Sequence, residues 1–294
     1  MQLKIRVPAT SANLGVGYDC LGMALNHYGT FTFAFEGEGH VISGCPKEFQ
    51  NDDNLVLKAF YTALDELKLD HPSGIRLHID TPLPSARGLG SSATCIVAGI
   101  LAADAFSEKK LSKRELLKLC LLLEHHPDNV APALMGGLCA SFIDEGEPYI
   151  TFYPIHERLR FVTIIPDYEV LTAQARQILP VSMSYADAVY QMGRCAAMCR
   201  ALELGDRELL FHACTDRMQE PYRKTLIPEY GQVRETVFAK GAEAFFISGS
   251  GSTMIAVTDQ SRGDEMCRCL KEQYPNWIVL CLQAAGQGGY VEHG

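Results

Sequence analysis

Between residues 75 and 106 the chain passes from an alternating strand into a glycine–serine turn and directly on into an apolar helix. Ile75, Leu77 and Ile79 alternate with other neighbours, the period of a half-buried strand. Pro84, Ser85, Ala86, Arg87, Gly88, Leu89, Gly90, Ser91, Ser92 and Ala93 follow, and an apolar helix runs on to about Phe106. This junction commits the fold to packing helices on strands. It also gathers backbone donors: glycines let N–H groups converge on one anion, and the helix N-terminus adds unpaired N–H groups and the positive end of its dipole. A serine there caps the helix or puts a hydroxyl on a phosphate-bound Mg²⁺. On the bare residues an ordinary Gly-Ser turn with a capping serine is the simpler reading. No Gly-Lys-Ser/Thr follows, so this is not a Walker A loop, and the GxGxxG spacing of a dinucleotide fold is absent.

The rest of the chain mixes the same two periods. Leu3-Ile5-Val7 and Phe31-Phe33-Phe35 alternate as strands, and Asp53 or Asn54 can cap a helix carrying Leu55, Ala59, Leu64 and Leu67. Residues 113–124 have Leu116, Leu119 and Leu123 on one helical face. Short apolar strands are expected at 161–165, 245–247, 254–257 and 278–282, with helices at 185–204 and 262–274. Strands and helices do not alternate regularly enough for a barrel, so the expected class is α+β in two domains, 1–155 and 156–294. The boundary falls near 145–160, where Gly146, Pro148 and Pro154 interrupt.

A net charge of −9 excludes a nucleic-acid partner, which would need a basic face, but leaves room for one nucleotide phosphate site. No apolar run reaches membrane-spanning length, so no membrane partner is expected. Met1 to Arg6 opens directly into a strand pattern rather than an export signal, and a cytoplasmic location follows as the expectation. The 11 cysteines then read as reduced, small hydrophobes; Cys267 and Cys269, and Cys195 and Cys199, lack a second ligand pair at zinc-site spacing.

The segment Pro84–Ala93 resembles the phosphate loop of the GHMP kinase superfamily, Pro-x-x-x-Gly-Leu-Gly-Ser-Ser-Ala. Two more segments match that superfamily in order: residues 7–25, with Thr10-Ser11-Ala12-Asn13-Leu14-Gly15 and Tyr18-Asp19, and Ile247-Ser248-Gly249-Ser250-Gly251-Ser252-Thr253. The first of these is similar to the homoserine kinase branch specifically. The resemblance implies a two-domain GHMP kinase fold: an N-terminal α/β domain with a left-handed-crossover-type phosphate loop, and a ferredoxin-like α+β C-terminal domain. It implies ATP and Mg²⁺ as cofactors, L-homoserine as the small-molecule substrate and a homodimer. Residues Pro84 to Ala93, with Thr94 and Asn54, are then on the nucleotide side.

Chemically, Asn13 and Asp19 offer an amide and a carboxylate to a zwitterionic amino acid. Asn13 as a turn former and Asp19 as a helix cap is the plainer alternative. Within Glu124-His125-His126-Pro127-Asp128-Asn129, the resemblance makes Glu124 the Mg²⁺ ligand together with Ser91 or Ser92, and puts His126 and Asp128 on the substrate side; His125 is unassigned. Asn129 stands where mevalonate-type kinases carry a catalytic aspartate. Asparagine takes no proton, so its expected role is to orient the attacking hydroxyl, which a loose phosphoryl-transfer transition state tolerates. Two further stretches, Thr172–Pro180 and Pro221–Pro228, match the family and bring Thr172, Arg176 and Arg223 to the substrate carboxylate, with Arg176 also counted as catalytic. Three departures stand out: Thr94 where alanine is usual, Arg87 where small residues are common, and a tail from Gly286 to Gly294 without the family's Gly-Ala-Arg ending.

Overall fold

The computed structural model describes residues 1–82 and 84–292; His293 and Gly294 of the atypical tail lie outside them. The first half consists of β1 (Gln2–Ala12), β2 (Leu21–Ala34), β3 (Gly39–Ser43), α1 (Leu55–Glu66), β4 (Gly74–Asp80), α2 (Ser91–Ser107), α3 (Lys113–Leu121), α4 (Pro127–Met135), β5 (Leu138–Asp144) and β6 (Glu147–Tyr153). Strand β2 is long enough to serve two neighbours: residues 30–34 pair with β4, and residues 21–23 pair with β5. Among the described residues only β3 and β4 run parallel, joined through α1. The inward residues Ile5, Val7, Phe31, Phe33 and Leu77 pack on Phe60, Ile96, Val97 and Ile100 of α1 and α2. Helix α2 is buried from Ile96 through Ala103, which explains its apolar sequence on every face.

The second half consists of β7 (Arg160–Ile165), α5 (Thr172–Gln177), α6 (Tyr185–Leu204), α7 (Arg207–Ala213), α8 (Glu220–Arg223), α9 (Tyr230–Ala239), β8 (Ala244–Ile247), β9 (Met254–Thr258), α10 (Gln260–Gln273), β10 (Ile278–Leu282) and β11 (Tyr290–Glu292). Its antiparallel sheet runs β10-β7-β9-β8. That is the strand order of a ferredoxin-like βαββαβ unit, with α5 to α9 filling the first crossover. Between the two sheets lies a shared apolar cluster. Leu14, Leu21, Met23 and Leu89 meet Phe161, Met198, Leu202 and Phe246 there, all fully or almost fully buried.

Two features bear on the domain limits. The stretch around Gly146 is the tip of a β5–β6 hairpin, with Glu145 and Gly146 both at positive φ between Asp144 and Glu147, rather than a linker. The chain leaves the first domain only after Tyr153. The end of the chain also returns: β11 pairs with β1, Lys4 opposite Glu292, so the tail belongs to the N-terminal sheet and not to a unit spanning 156–294. Among the described residues no helix is long and apolar enough to cross a membrane.

Candidate active site

The phosphate-loop segment is held from below by the hairpin turn between β8 and β9. Ser248 Oγ donates to the Gly88 carbonyl at 2.6 Å, and Thr253 N donates to the Arg87 carbonyl at 3.0 Å. Gly88 and Gly90 both sit at positive φ, +78° and +65°. A Cβ would run into the Ser248 carbonyl at the first and into the Thr10 hydroxyl at the second, so glycine is required at both. Gly90 is the N-cap of α2 and brings no capping side chain, which leaves the first-turn N–H groups of α2 open to an anion.

Those N–H groups open on a cavity of about 420 Å³ between the two domains. Asn13, Asp19, Ala86, Gly88, Gly90, Ser91, Ser92, Ala93, Glu124, His126, Asp128, Asn129, Thr172, Arg176 and Arg223 line it, with His125 and Ser250. A second cavity of about 500 Å³ lies on the other side of the α2 N-terminus, walled by Phe49, Leu55, Ile79, Cys95 and Ile278. Pro84, Ser85, Thr94 and Asn54 line this second space, and Ser91 and Ser92 face both. Asn54 is already engaged: its side chain accepts from Val56 N at 3.0 Å and donates to the Phe49 carbonyl at 2.8 Å. Two members of the expected phosphate set are not brought to either cavity. The guanidinium of Arg87 donates to the Pro166 carbonyl and so ties the loop to the C-terminal domain. Leu89 is buried in the shared apolar cluster, where its side chain anchors the loop instead of meeting a ligand.

The charged wall is tightly organised. Asp19 and Arg176 form a two-pronged pair, both bonds at 3.0 Å, and the same guanidinium donates to the Tyr18 hydroxyl at 3.0 Å. Asn13 holds this corner: its Oδ1 accepts from Asp19 N at 2.9 Å, and its Nδ2 donates to the Gly249 carbonyl at 3.1 Å. Arg223 is almost fully buried and donates from Nε to the Ala175 carbonyl at 3.1 Å and from Nη1 to the Gly249 carbonyl at 2.8 Å. It therefore braces α5 and the β8–β9 turn as well as facing the cavity. His126 Nε2 stands 4.0 Å from Asp19, Glu124 accepts from His126 N at 3.4 Å, and Thr172 Oγ1 lies 3.4 Å from Ser250 Oγ. Thr10, Tyr18 and Ser250 join the site without having been singled out; all three lie inside the quoted motifs, but their partners are distant in sequence.

Asp128 is the strained group. It is 4% exposed, and burial, then the nearby Asp19 and Glu124 carboxylates, push its pKa up to about 7. Among the described residues it has no ion-pair partner. A carboxyl whose folded pKa is raised favours folding while protonated, and that advantage is lost as pH rises from its unfolded value through about 7. Asp128→Asn should therefore stabilise the protein at pH 8 by about 1–3 kcal/mol, and by progressively less as the pH falls toward the unfolded carboxylate value of 3.8, read by urea unfolding. No gain at pH 8 would mean the carboxylate is already compensated.

Three comparisons bear on this geometry. The model for GHMP kinases N terminal domain matches residues 54–137, and that for GHMP kinases C terminal matches residues 198–276. The chain is 38% identical to a homoserine kinase of Clostridium botulinum (strain Eklund 17B) and 38% identical to one of Clostridium beijerinckii, covering 99% of both chains in each case. It is also similar to the crystal structure of homoserine kinase from Cytophaga hutchinsonii. That match has a TM-score of 0.88 and 29% identity, covering 99% of this chain and 97% of that one.

Proposed function

The chain belongs to the GHMP kinase family, and on that premise we propose that it transfers the γ-phosphoryl group of ATP to the side-chain hydroxyl of L-homoserine. The products are ADP and O-phospho-L-homoserine, a step of threonine biosynthesis in the cytoplasm. One observation carries the substrate class: carboxylates of Asp19 and Asp128 and guanidiniums of Arg176 and Arg223 line one cavity beside the open N-terminus of α2. A ligand with an ammonium and a carboxylate complements both signs. The triphosphate lies along Ala86–Ala93, and the apolar second cavity, with Asn54 and Thr94 on its wall, takes the nucleoside.

Ser91, Ser92 and Glu124 offer oxygen donors on one wall, and among the described residues no group of three or more His, Cys, Asp or Glu is arranged for a metal. Few protein ligands beside a phosphate site suit Mg²⁺, which keeps several waters and substrate oxygens. When bound it neutralises charge developing on the phosphates. Asn129 orients the hydroxyl, and Arg176 and Arg223 hold the carboxylate, with His126, Thr172 and Asn13 shaping the same pocket. The new bond forms between the homoserine oxygen and the γ-phosphorus as the bond to ADP breaks, and the hydroxyl proton leaves on a phosphoryl oxygen, because asparagine takes none.

The reading includes a homodimer. Tyr185, Val189 and Met192 are exposed on α6 at i, i+4, i+7, a stripe that a second copy would cover.

A coupled ADP-release assay over homoserine, mevalonate, shikimate and galactose tests the substrate. Turnover is expected with L-homoserine alone. Equal activity on an alcohol without the amino-acid groups overturns the assignment, and no activity on any of them favours a ligand sensor on the same fold.

A further inference from the structure

The hydroxyl of Thr10 lies 2.8 Å from Oδ1 of Asn129, across 119 residues of sequence. Thr10 is fully buried on β1, so its hydroxyl proton needs an acceptor inside the protein, and the Asn129 carbonyl oxygen is the one supplied. The same residue touches the phosphate loop twice: Thr10 N donates to the Leu89 carbonyl at 3.1 Å, and the α-carbon of Gly90 sits so close that no Cβ fits beside the hydroxyl. Asn129 stands in the first turn of α4 and lines the catalytic cavity. With Oδ1 engaged, the planar amide has one face left to offer: its Nδ2, which has no hydrogen-bond partner among the described residues.

We propose that Thr10 is a positioning residue that locks the Asn129 amide in one orientation, so that Asn129 meets the reacting oxygens only as a donor. The inference rests on the homoserine reading and deepens it. An amide presented through its NH₂ can hold a hydroxyl oxygen or a γ-phosphoryl oxygen by one lone pair, and it cannot draw off the hydroxyl proton. Thr10 thereby couples the position of the phosphate loop to the aim of the asparagine, since the same buried residue grips both.

Thr10→Val removes the hydroxyl and keeps the shape; Thr10→Ser keeps the hydroxyl. The valine variant should lose about 10- to 100-fold in kcat, with the KM for ATP held within roughly twofold, and the serine variant should recover kcat to within about threefold of wild type. In Asn129→Ala the valine change should have no further effect, because the group it positions is gone. Asn129→Asp, which turns an anionic oxygen toward the phosphates, should be slower than Asn129→Ala. Independent, multiplicative losses from Thr10→Val and Asn129→Ala, or an Asn129→Asp enzyme faster than wild type, would overturn the proposal. Urea unfolding of the same proteins reads the bond with no substrate present: Thr10→Val should lower the midpoint in the wild-type background and leave it unchanged or raise it in Asn129→Ala, where the buried hydroxyl has lost its acceptor. An equal drop in both also counts against it. Wild-type protein that does not turn over L-homoserine would instead refute the substrate reading, and the unfolding cycle would still decide the role of Thr10.

Discussion

Glu124→Ala is expected to lower kcat by roughly 10²- to 10⁴-fold, the loss that follows when a metal-binding carboxylate beside a phosphoryl group is removed. Among the described residues its side chain makes one hydrogen bond, accepting from His126 N at 3.4 Å, and it lines the cavity, so the folded state should hardly notice. The expected signature is therefore a slow, fully folded enzyme with a raised Mg²⁺ requirement and unchanged thermal unfolding. Activity within tenfold of wild type would take Glu124 out of the metal site.

Changes at Arg176 and Arg223 should both be severe, but in different ways. Arg176→Lys keeps the charge and loses the fork that grips Asp19, 3.0 Å on each prong. We expect kcat/KM for homoserine to fall by about 1.5–3 kcal/mol with the KM for ATP nearly constant. Arg223→Lys should show a similar catalytic loss and, in addition, a loss of stability of about 2–3 kcal/mol, because Nε and Nη1 hold the Ala175 and Gly249 carbonyls in a buried place. Steady-state kinetics with each substrate varied, together with urea unfolding, separates the two. If the variants lose ATP affinity while homoserine binding is intact, the arginines serve the nucleotide.

Local signals in the sequence were strong where one element carries its own instructions. Helix α6 begins and ends at the expected 185 and 204, because Ser184 caps it and Gly205 closes it in the left-handed conformation. The junction from β4 to α2 was equally legible, since glycine spacing is a direct demand of the backbone. What the sequence hid were relations between distant segments. Arg87 reads as a phosphate ligand until Pro166, 79 residues later, takes its guanidinium. The Asp19–Arg176 pair spans 157 residues, and each partner on its own reads as a free charge awaiting substrate. Gly146 and Pro148 read as domain punctuation, yet they form the tight β5–β6 hairpin, and of the three interrupting residues only Pro154 follows the last strand of the first domain.

The shared apolar cluster between the two sheets constrains how ligands enter. Leu14, Leu21, Met23 and Leu25 from one side, and Phe161, Met198, Leu202 and Phe246 from the other, are all at or near complete burial. Exposing each would cost about 1.5–3 kcal/mol, so swinging the two halves apart would need on the order of ten kcal/mol or more. A clamshell opening on that scale approaches global unfolding in energy. Nucleotide and amino acid must instead pass through a mouth whose frame stays fixed, and whatever yields during turnover is confined to the rim, where short α5 buries only Ala175.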